Sequence, residues 1–242
     1  MKISLVILAL NELESSKKIA PRIDKNLFDE ILVIDGGSND GTDTYFKSLG
    51  FQVIKQTNSS NTCFSIAERQ KKIAEAYWQG ANKAIGDIVI IPFTTDGNML
   101  PEKLPELINK IKQGYDLVCV SRYKNDAKSY DDTFISGFGN WFFTKLVNIL
   151  FKGNFTDVLG GYKAVKRNLL MRIYSDKKTM VSFGTQISIA CLKNNLKYSE
   201  IPGDEPKRIA GKSSTSAIIN GIIELFTILQ AFFLKDLYKF KD

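Results

Sequence analysis

Short apolar runs that break into acidic turns constrain the fold of this chain more than any other feature. Residues 31–34 end in Asp35 and two glycines, and residues 87–93 lead into Thr94 and Asp96. Runs of this length favour buried strands, and longer segments with helical periodicity separate them. This alternation predicts an α/β domain with a mostly parallel central sheet flanked by helices. Ligands of such domains bind beyond the carboxyl ends of the strands, where both acidic turns are expected.

The apolar runs and the helix start signals also predict where the elements lie. The predicted strands cover residues 3–10, 31–34, 51–54, 87–93 and 117–121. The predicted helices cover residues 42–49, 66–83 and 102–112. No internal repeat or Gly/Pro-rich linker stands out. We therefore expect one domain over residues 1–216, followed by a C-terminal amphipathic helix over residues 217–242.

Composition excludes several kinds of chemistry. The 242 residues contain no histidine, which excludes a Ser-His-Asp triad and a histidine-bound zinc, so any metal must sit on oxygen. The three cysteines lie far apart, and neither a disulfide framework nor a thiolate metal cluster is expected. A reducing, cytoplasmic compartment is therefore the expectation. A formal net charge of +7 favours anionic partners, such as phosphates, nucleic acid or acidic lipid.

The two acidic turns are candidate ligand sites. Asp35, followed by Gly37 and Ser38, can accept hydrogen bonds from a nucleotide base or ribose. Asp96 and Asn98 place a carboxylate and an amide oxygen two residues apart, a half-site for Mg²⁺ or Mn²⁺ that water and substrate phosphates would complete. Each turn also has a plainer interpretation, because Asp-Gly pairs are common in turns and acidic residues often cap helices.

Two segments rich in aromatic and branched side chains, residues 137–151 and 217–234, have a different character. In each, a helix gathers the polar side chains on one narrow face and leaves a wide apolar face. Neither is a clean membrane span. Either both helices pack in the core or in a dimer interface, or their apolar faces contact a membrane whose acidic lipids attract nearby lysines.

These features, in this order, resemble the glycosyltransferase family 2 enzymes. Within that family the resemblance is to the dolichyl- or polyprenyl-phosphate sugar transferases and their bacterial relatives. It covers nearly the whole chain, residues 31–42 match the family's nucleotide-binding turn closely, and the ordered set of motifs is more specific than any one of them. The matching segments, in family order, are residues 5–12, 31–42, 84–89, 94–102, 120–123, 157–162, 200–202 and 208–213.

The resemblance implies an A-type glycosyltransferase fold, a UDP- or GDP-type sugar donor, a divalent metal and inversion at the anomeric carbon. The implied donor-binding residues are Leu8, Leu10, Asn11, Glu12, Asp35, Gly37, Ser38, Thr94, Thr95 and Asp96. The implied metal ligands are Asp96 and Asn98. The residues implied for phosphates or the acceptor are Arg122, Gly161, Arg208, Lys212 and Ser213. The implied acceptor is a polyprenyl phosphate or a glycan, not nucleic acid.

The chain departs from the family pattern at several points. Leu8 and Leu10 replace the usual proline and aromatic residue of the opening segment. Thr94 replaces the first acidic residue of the metal motif, so weaker or partial metal dependence is expected. No second arginine lies between Arg122 and Asn140, and Gln186 stands where many relatives carry a glutamate.

A phosphate acceptor arrives ionised and needs no base, whereas a sugar hydroxyl would need one. Asp157 is the candidate for that base, unless it only fixes the glycine turn that follows it.

Three functions are open at this point, all with Asp96 at the metal. The first is a transferase at the cytoplasmic face of the membrane that acts on a polyprenyl phosphate or a lipid-linked glycan. The second is a soluble transferase of polysaccharide or lipopolysaccharide, in which the apolar helices form a homodimer. The third is a degenerate chain that binds nucleotide sugar without turnover and assists an active partner.

Overall fold

The computed structural model describes residues 1–57, 66–173, 182–210 and 217–240, and it contains a seven-stranded sheet with helices on both sides. The strands are β1 (Ile3–Ala9), β2 (Glu30–Asp35), β3 (Gln52–Lys55), β4 (Ile88–Phe93), β5 (Leu117–Ser121), β6 (Lys163–Lys166) and β7 (Tyr198–Pro202). The α-helices are α1 (Leu13–Ile19), α2 (Thr42–Ser48), α3 (Ile66–Lys83), α4 (Leu104–Lys112), α5 (Phe134–Phe151), α6 (Arg167–Ile173), α7 (Phe183–Lys193) and α8 (Ala217–Phe233).

The strand order of the sheet is β3-β2-β1-β4-β6-β5-β7. Strand β1 pairs in parallel with β2 and β4, β2 with β3, and β5 with β7, whereas β6 runs antiparallel to β4 and β5. The sheet is therefore mostly parallel, which confirms the predicted fold class. Because β1 lies between β2 and β4, the turns that follow these three strands share one edge of the sheet.

Burial on both faces of the sheet explains the continuous apolar runs. All six residues of β4 are buried. Val89 and Ile91 pack into the core layer that includes α3 and α7, while Ile88 and Ile90 pack into the opposite layer with α4. A parallel strand covered on both faces needs apolar side chains at every position, so its sequence does not alternate.

The five predicted strands and the helices predicted over residues 42–49, 66–83 and 102–112 are confirmed to within two residues at each end. The helix predicted over residues 217–242 is shorter, because α8 ends at Phe233. The helix predicted over 102–112 begins with a 3₁₀ turn at Pro101–Lys103 before α4. Strands β6 and β7 were not predicted. Strand β6 has only four residues and a lysine at each end, and β7 contains Glu200 and ends in proline, so neither resembles an apolar run.

Helices α5 and α8 pack against each other with their polar strips turned inward. Asn140 and Thr144 of α5 and Thr227 of α8 are buried. The exposed apolar side chains on the two helices are Phe134, Ile135, Phe138, Trp141, Phe142, Ile149, Ile218, Ile222, Leu225, Phe226, Leu229, Phe232 and Phe233. Because these side chains are exposed, neither helix lies wholly inside the core.

No helix in the described ranges is both long enough and apolar enough to cross a membrane. The boundary between a domain and a separate C-terminal helix at residue 216 stays a prediction.

Candidate active site

The turn after β2 is held by the carboxylate of Asp35, which is buried. Asp35 accepts hydrogen bonds from the N–H groups of Gly37 at 3.0 Å and Ser38 at 3.1 Å. Gly37 has φ of 97°, a conformation that glycine adopts without strain. Asp35 therefore shapes the turn itself, and its contact with a nucleotide base stays a prediction.

The turn after β1 is tied to the turn after β2. The N–H of Asn11 donates to Ser38 Oγ at 2.9 Å, and Asn11 Oδ1 accepts from the N–H of Asn39 at 2.9 Å. Leu8, near the end of β1, is partly buried, and Leu10 beyond it is exposed. The implied donor-binding residues at the ends of β1 and β2 are thus held together as one hydrogen-bonded ledge at this edge of the sheet.

Glu12 brings a second acidic group close to the turn after β4. Its Oε2 accepts a hydrogen bond from Thr95 Oγ1 at 3.2 Å, and its N–H donates to Thr42 Oγ1 at 2.9 Å. Burial and the charge of Asp96 raise the pKa of Glu12 to about 7. Thr95 also shares a hydrogen bond of 2.8 Å with the hydroxyl of Ser16 on α1. Thr95 therefore joins Glu12 to the strand end that carries Asp96.

Asp96 lies in the turn that follows β4, and both of its carboxylate oxygens have partners. Its Oδ1 accepts from Thr94 Oγ1 at 2.9 Å and from the N–H of Asn98 at 3.1 Å, while its Oδ2 lies 3.1 Å from Arg208 Nη1. The threonine at the family's first acidic position therefore orients Asp96 through its hydroxyl and adds no negative charge.

The oxygen atoms of Asp96 and Asn98 fit a hard divalent cation. Asn98 Nδ2 donates to Asp131 at 2.9 Å, and its Oδ1 is buried with no hydrogen-bond partner among the described residues. A buried acceptor of this kind is unfavourable unless a ligand, a cation or water reaches it. No group of three or more Asp, Glu, His or Cys side chains in the described ranges could hold a metal, so substrate phosphates and water would have to complete the shell.

The segment after β7 lies on the turn that carries Asp96. Arg208 pairs with Asp96, and its Nε lies 3.4 Å from Asp131 Oδ2. The N–H of Ile209 donates to the carbonyl of Asp96 at 2.8 Å, and a Cβ on Gly97 would lie 2.8 Å from the Ile209 side chain. The close contact at Gly97 thus places the Arg208 guanidinium beside the candidate metal ligand.

Arg122 and Asp157 form a buried ion pair behind the cavity. Asp157 Oδ2 accepts from Arg122 Nε at 2.7 Å and Oδ1 accepts from Arg122 Nη2 at 3.0 Å. Oδ1 also accepts from Asn140 Nδ2 at 3.1 Å and from the N–H of Gly160 at 3.0 Å. This two-point pairing fixes the plane of the guanidinium.

The geometry argues against Asp157 as a general base. Its side chain is fully buried, and it does not line the cavity. Burial alone would raise the pKa of Asp157, but the charge and hydrogen bonds of Arg122 lower it to about 2. A carboxylate that is inaccessible and weakly basic suits the plainer alternative, in which Asp157 fixes the Gly160 turn and orients Arg122.

Two glutamates from the β7 region support this pair. Glu200 on β7 accepts from the N–H groups of Thr156 at 2.9 Å and Asp157 at 3.1 Å, which fixes the loop behind Arg122. Glu205 accepts from Arg122 Nη1 at 3.2 Å and from the hydroxyl of Ser129. Neither glutamate was predicted to have a role in the site.

A cavity of about 450 Å³ joins these elements and extends between α5 and α8. The predicted site residues that line it are Thr94, Asp96, Asn98, Arg122, Gly161 and Arg208. Other lining residues combine small and polar residues, namely Ser136, Gly139, Asn140, Ser182, Gly184, Asn220, Gly221 and Glu224, with apolar ones, namely Ile73, Tyr77, Ile135, Phe143, Leu159, Phe183, Ala217 and Ile223. The ledge at the ends of β1 and β2 lies outside its lining, and Lys212 and Ser213 lie outside the described residues.

Acidic residues that sequence reasoning did not assign to the site also line this cavity. Asp132 and Glu205 come from loops that carry no recognisable motif, and Glu224 comes from α8. A signal existed only for Glu224, which is the one acidic residue within an otherwise apolar helical segment. The sequence places Glu224 on the narrow polar face of that helix, without indicating a role in the site.

Comparison with known proteins identifies several relatives. The chain is 26% identical over 200 residues to the glycosyltransferase AglJ of Haloferax volcanii, an alignment covering 79% of this chain and 59% of that protein. It is 31% identical over 135 residues to the dolichol-phosphate mannosyltransferase of Pyrococcus furiosus, covering 53% and 35%. It is 25% identical over 228 residues to the undecaprenyl-phosphate mannosyltransferase of Micrococcus luteus, covering 91% and 90%. The chain thus spans less than two thirds of the first two proteins and most of the third.

Solved structures share the fold. The glucosyl-3-phosphoglycerate synthase of Mycobacterium tuberculosis, in complex with Mn²⁺, UDP and glucosyl-3-phosphoglycerate, matches with a TM-score of 0.63 at 22% identity, over 95% of this chain and 79% of that one. The sheet described above is therefore an A-type glycosyltransferase fold. Residues 4–174 match the sequence model of the family described as glycosyl transferase family 2. That match covers well over half of the chain, which therefore belongs to glycosyl transferase family 2.

Proposed function

We propose that this protein is an inverting glycosyltransferase that moves a hexose from a UDP- or GDP-type nucleotide sugar to a polyprenyl phosphate. One observation carries the proposal: the cavity that begins at Asp96 and Arg208 extends between α5 and α8, whose outer faces are apolar and exposed. A water-soluble donor can enter at the first end and a lipid-bound acceptor at the second. The names of the dolichol- and undecaprenyl-phosphate relatives support this class of acceptor.

The donor end is suited to a nucleoside diphosphate. Asp96 and Asn98 would hold Mg²⁺ or Mn²⁺, and the bound cation would offset the negative charge of the diphosphate. Arg208 would exchange its pairing with Asp96 for the phosphate oxygens, since guanidinium groups bind both carboxylates and phosphates. The neighbouring structure in complex with Mn²⁺ and UDP supports the use of a cation.

The acceptor end is suited to a phosphate that is already ionised. Its oxygen would attack the anomeric carbon from the side opposite the nucleoside diphosphate, so that one C–O bond forms, the other breaks and the configuration inverts. No proton has to be removed, which agrees with the inaccessible and weakly basic Asp157. Arg122 uses three of its five N–H groups to bond Asp157 and Glu205, so the rest can stabilise phosphate charge at the cavity wall.

The outer faces of α5 and α8 would contact the cytoplasmic face of the membrane. Exposed aromatic and branched side chains there would enter the boundary between headgroups and acyl chains. Exposed lysines near the ends of these helices would attract acidic lipids, namely Lys145, Lys152, Lys235 and Lys239. A homodimer through the same face is the competing arrangement.

A binding and transfer assay tests the donor and the acceptor. The melting temperature is measured with UDP, GDP and their sugar conjugates, with and without Mn²⁺ or Mg²⁺. The best donor, labelled in its sugar, is then incubated with undecaprenyl phosphate in detergent. We expect a metal-dependent shift with one nucleotide and label in the lipid fraction. Label that appears only in a soluble or lipid-linked glycan would replace the acceptor. A nucleotide-sugar shift without transfer to any acceptor would indicate the degenerate chain, and no shift with any nucleotide would overturn the proposed function.

A vesicle assay tests membrane contact. The double variant Phe138→Gln, Phe226→Gln removes two exposed aromatic rings, one from each helix, and Ile85→Gln removes an exposed apolar side chain elsewhere as the control. Because burial of one such ring contributes about 1.5–3 kcal/mol, the double variant should bind anionic vesicles at least about tenfold more weakly, and the control should not. A double variant that binds vesicles like the wild type but changes from dimer to monomer would favour the homodimer.

A further inference from the structure

Glu224 is a carboxylate in the wall of the cavity that the proposed reaction does not use. It lies on α8 and lines the cavity together with Asn220 and Gly221, one turn earlier in the same helix. Asp96 and Arg208, the residues proposed to hold the cation and the diphosphate, line the same cavity. On the wall formed by α7 and α8, Glu224 is the acidic side chain among the described lining residues.

Among the described residues, hydroxyl groups orient the carboxyl group of Glu224. One carboxylate oxygen accepts a hydrogen bond from the hydroxyl of Ser182, and the other accepts from Thr185 Oγ1 at 2.6 Å. No ion pair joins Glu224 to a lysine or arginine in the described ranges. A carboxylate has about four acceptor positions, so two bonds leave room for further donors from the cavity.

The chemistry of this wall indicates which part of a substrate could bind to it: a phosphate, an isoprenoid chain or a sugar ring. Phosphate groups are anionic and would be repelled by an ionised Glu224, so the phosphates of donor and acceptor belong beside Arg208 and Arg122 and not on this wall. An isoprenoid chain offers no hydrogen-bond donor. The hydroxyl groups of a sugar ring are donors, and the ring is attached to the diphosphate that the same cavity is suited to bind.

We propose that Glu224 binds a hydroxyl group of the donor's sugar and so helps to determine which sugar is transferred. This inference rests on the proposed function, since it needs a nucleotide-sugar donor in the cavity. Ser182 and Thr185 position the carboxylate, and the strip of α8 that carries it forms the sugar-facing wall. The apolar side of the same helix faces outward, so one helix would serve both the membrane and the sugar.

The test compares the wild type with Glu224→Ala and Glu224→Gln. Dissociation constants are measured by titration calorimetry with Mn²⁺ for UDP, GDP, UDP-glucose, UDP-N-acetylglucosamine and GDP-mannose. Hydrogen bonds to a charged group typically contribute enough for a change of about 10- to 100-fold in affinity. We expect Glu224→Ala to weaken the sugar nucleotide by that factor and to leave the nucleoside diphosphate within about twofold, with Glu224→Gln in between. Glu106→Gln, on α4 outside the cavity, is the matched control.

Donor analogues that lack single sugar hydroxyls sharpen the result. The analogue without the bound hydroxyl should show the same affinity for the wild type and for Glu224→Ala. Equal weakening of sugar nucleotide and nucleoside diphosphate, or no weakening of either, would overturn the role of Glu224 and leave the proposed function standing. Should Glu224→Ala not fold, Glu224→Gln decides by the same comparison. A wild type that binds none of the nucleotides would overturn the proposed function, and this inference with it.

Discussion

Replacement of Asp157 by asparagine removes one charge from a buried ion pair and nearly preserves the shape of the side chain. In the wild type the carboxylate bonds Arg122 at two points and also accepts from Asn140 and Gly160. In the variant, Glu205 is the acidic side chain still in contact with the guanidinium. We expect the folded protein to lose stability and Arg122 to lose its fixed orientation.

The magnitude follows from the ionisation of the carboxyl group. The pKa of Asp157 is about 2 in the folded protein against an ordinary value of 3.8, and this gap corresponds to about 2 kcal/mol in favour of the ionised form. Breaking a buried pair costs about 3–5 kcal/mol when the remaining charge is uncompensated. Because Glu205 remains beside Arg122, we expect a loss in the free energy of unfolding near the lower end, about 3 kcal/mol at pH 7.

The pH dependence has a definite sign. The folded pKa of Asp157 lies below its unfolded pKa, so its contribution to stability is fully present above about pH 4 and is lost as the pH falls through about 2. The difference in free energy of unfolding between wild type and Asp157→Asn should therefore narrow below pH 4 and stay constant between pH 5 and 7.

Urea unfolding followed by circular dichroism, at several pH values from 3 to 7, measures this difference. The matched control is Asp43→Asn, which breaks an exposed pair with Lys47 on α2 and should cost less than about 1 kcal/mol. An Asp157→Asn protein that unfolds within about 0.5 kcal/mol of the wild type at pH 7 would refute the argument from the buried pair. A difference that does not change down to pH 3 would refute the assigned pKa.

Three further predictions concern the same edge of the sheet. Asp96→Ala should abolish metal-dependent transfer but lower the free energy of unfolding by only about 1–2 kcal/mol, as measured by product formation and urea unfolding. Gly97→Ala should lower thermal stability more than Gly114→Ala, because both glycines have positive φ but only the Cβ at residue 97 would meet Ile209 at 2.8 Å. Glu200→Gln should cost about 1–3 kcal/mol in urea unfolding, because its carboxylate accepts three hydrogen bonds that an amide cannot all accept.

Much of the fold could be predicted because strands that are buried on both faces of a parallel sheet have continuous apolar runs in the sequence. Strands β4 and β5 are wholly buried, and both were located from their apolar runs. Strand β6 could not be found in this way. Its middle residues, Ala164 and Val165, are buried like those of β4, but lysines stand at both ends and one of them, Lys163, is itself fully buried. From the sequence alone a buried lysine cannot be distinguished from the far more common exposed lysine.

The candidate site was only partly predictable, because half of it depends on long-range strand pairing. Asp96 and Asn98 follow a strand that the sequence shows directly. Arg122 and Glu205 meet because β5 and β7 pair in parallel from Leu117 with Tyr198 to Ser121 with Pro202, which carries both loops to the same edge. No local pattern in a single sequence indicates that pairing. The partners of Arg122 were therefore missed, and Asp157 was assigned a proton-transfer role that its burial does not favour.

Helix α8 shows why the sequence predicted two faces but not their direction. A helix with a narrow polar strip ordinarily turns its wide apolar face to the core. Here Thr227 is 1% exposed and Phe226 is 65% exposed, so the polar strip turns inward together with the buried Ile228 and Ala231, and most of the apolar face turns outward. In the inward position Glu224 accepts hydrogen bonds from the hydroxyl groups of Ser182 and Thr185. A carboxyl group buried there without such partners would be unfavourable, because water could reach it only if the polar strip turned outward. The hydroxyl groups at the start of α7 therefore help to orient α8. The apolar surface that stays exposed is of the kind that contacts a membrane or another protein.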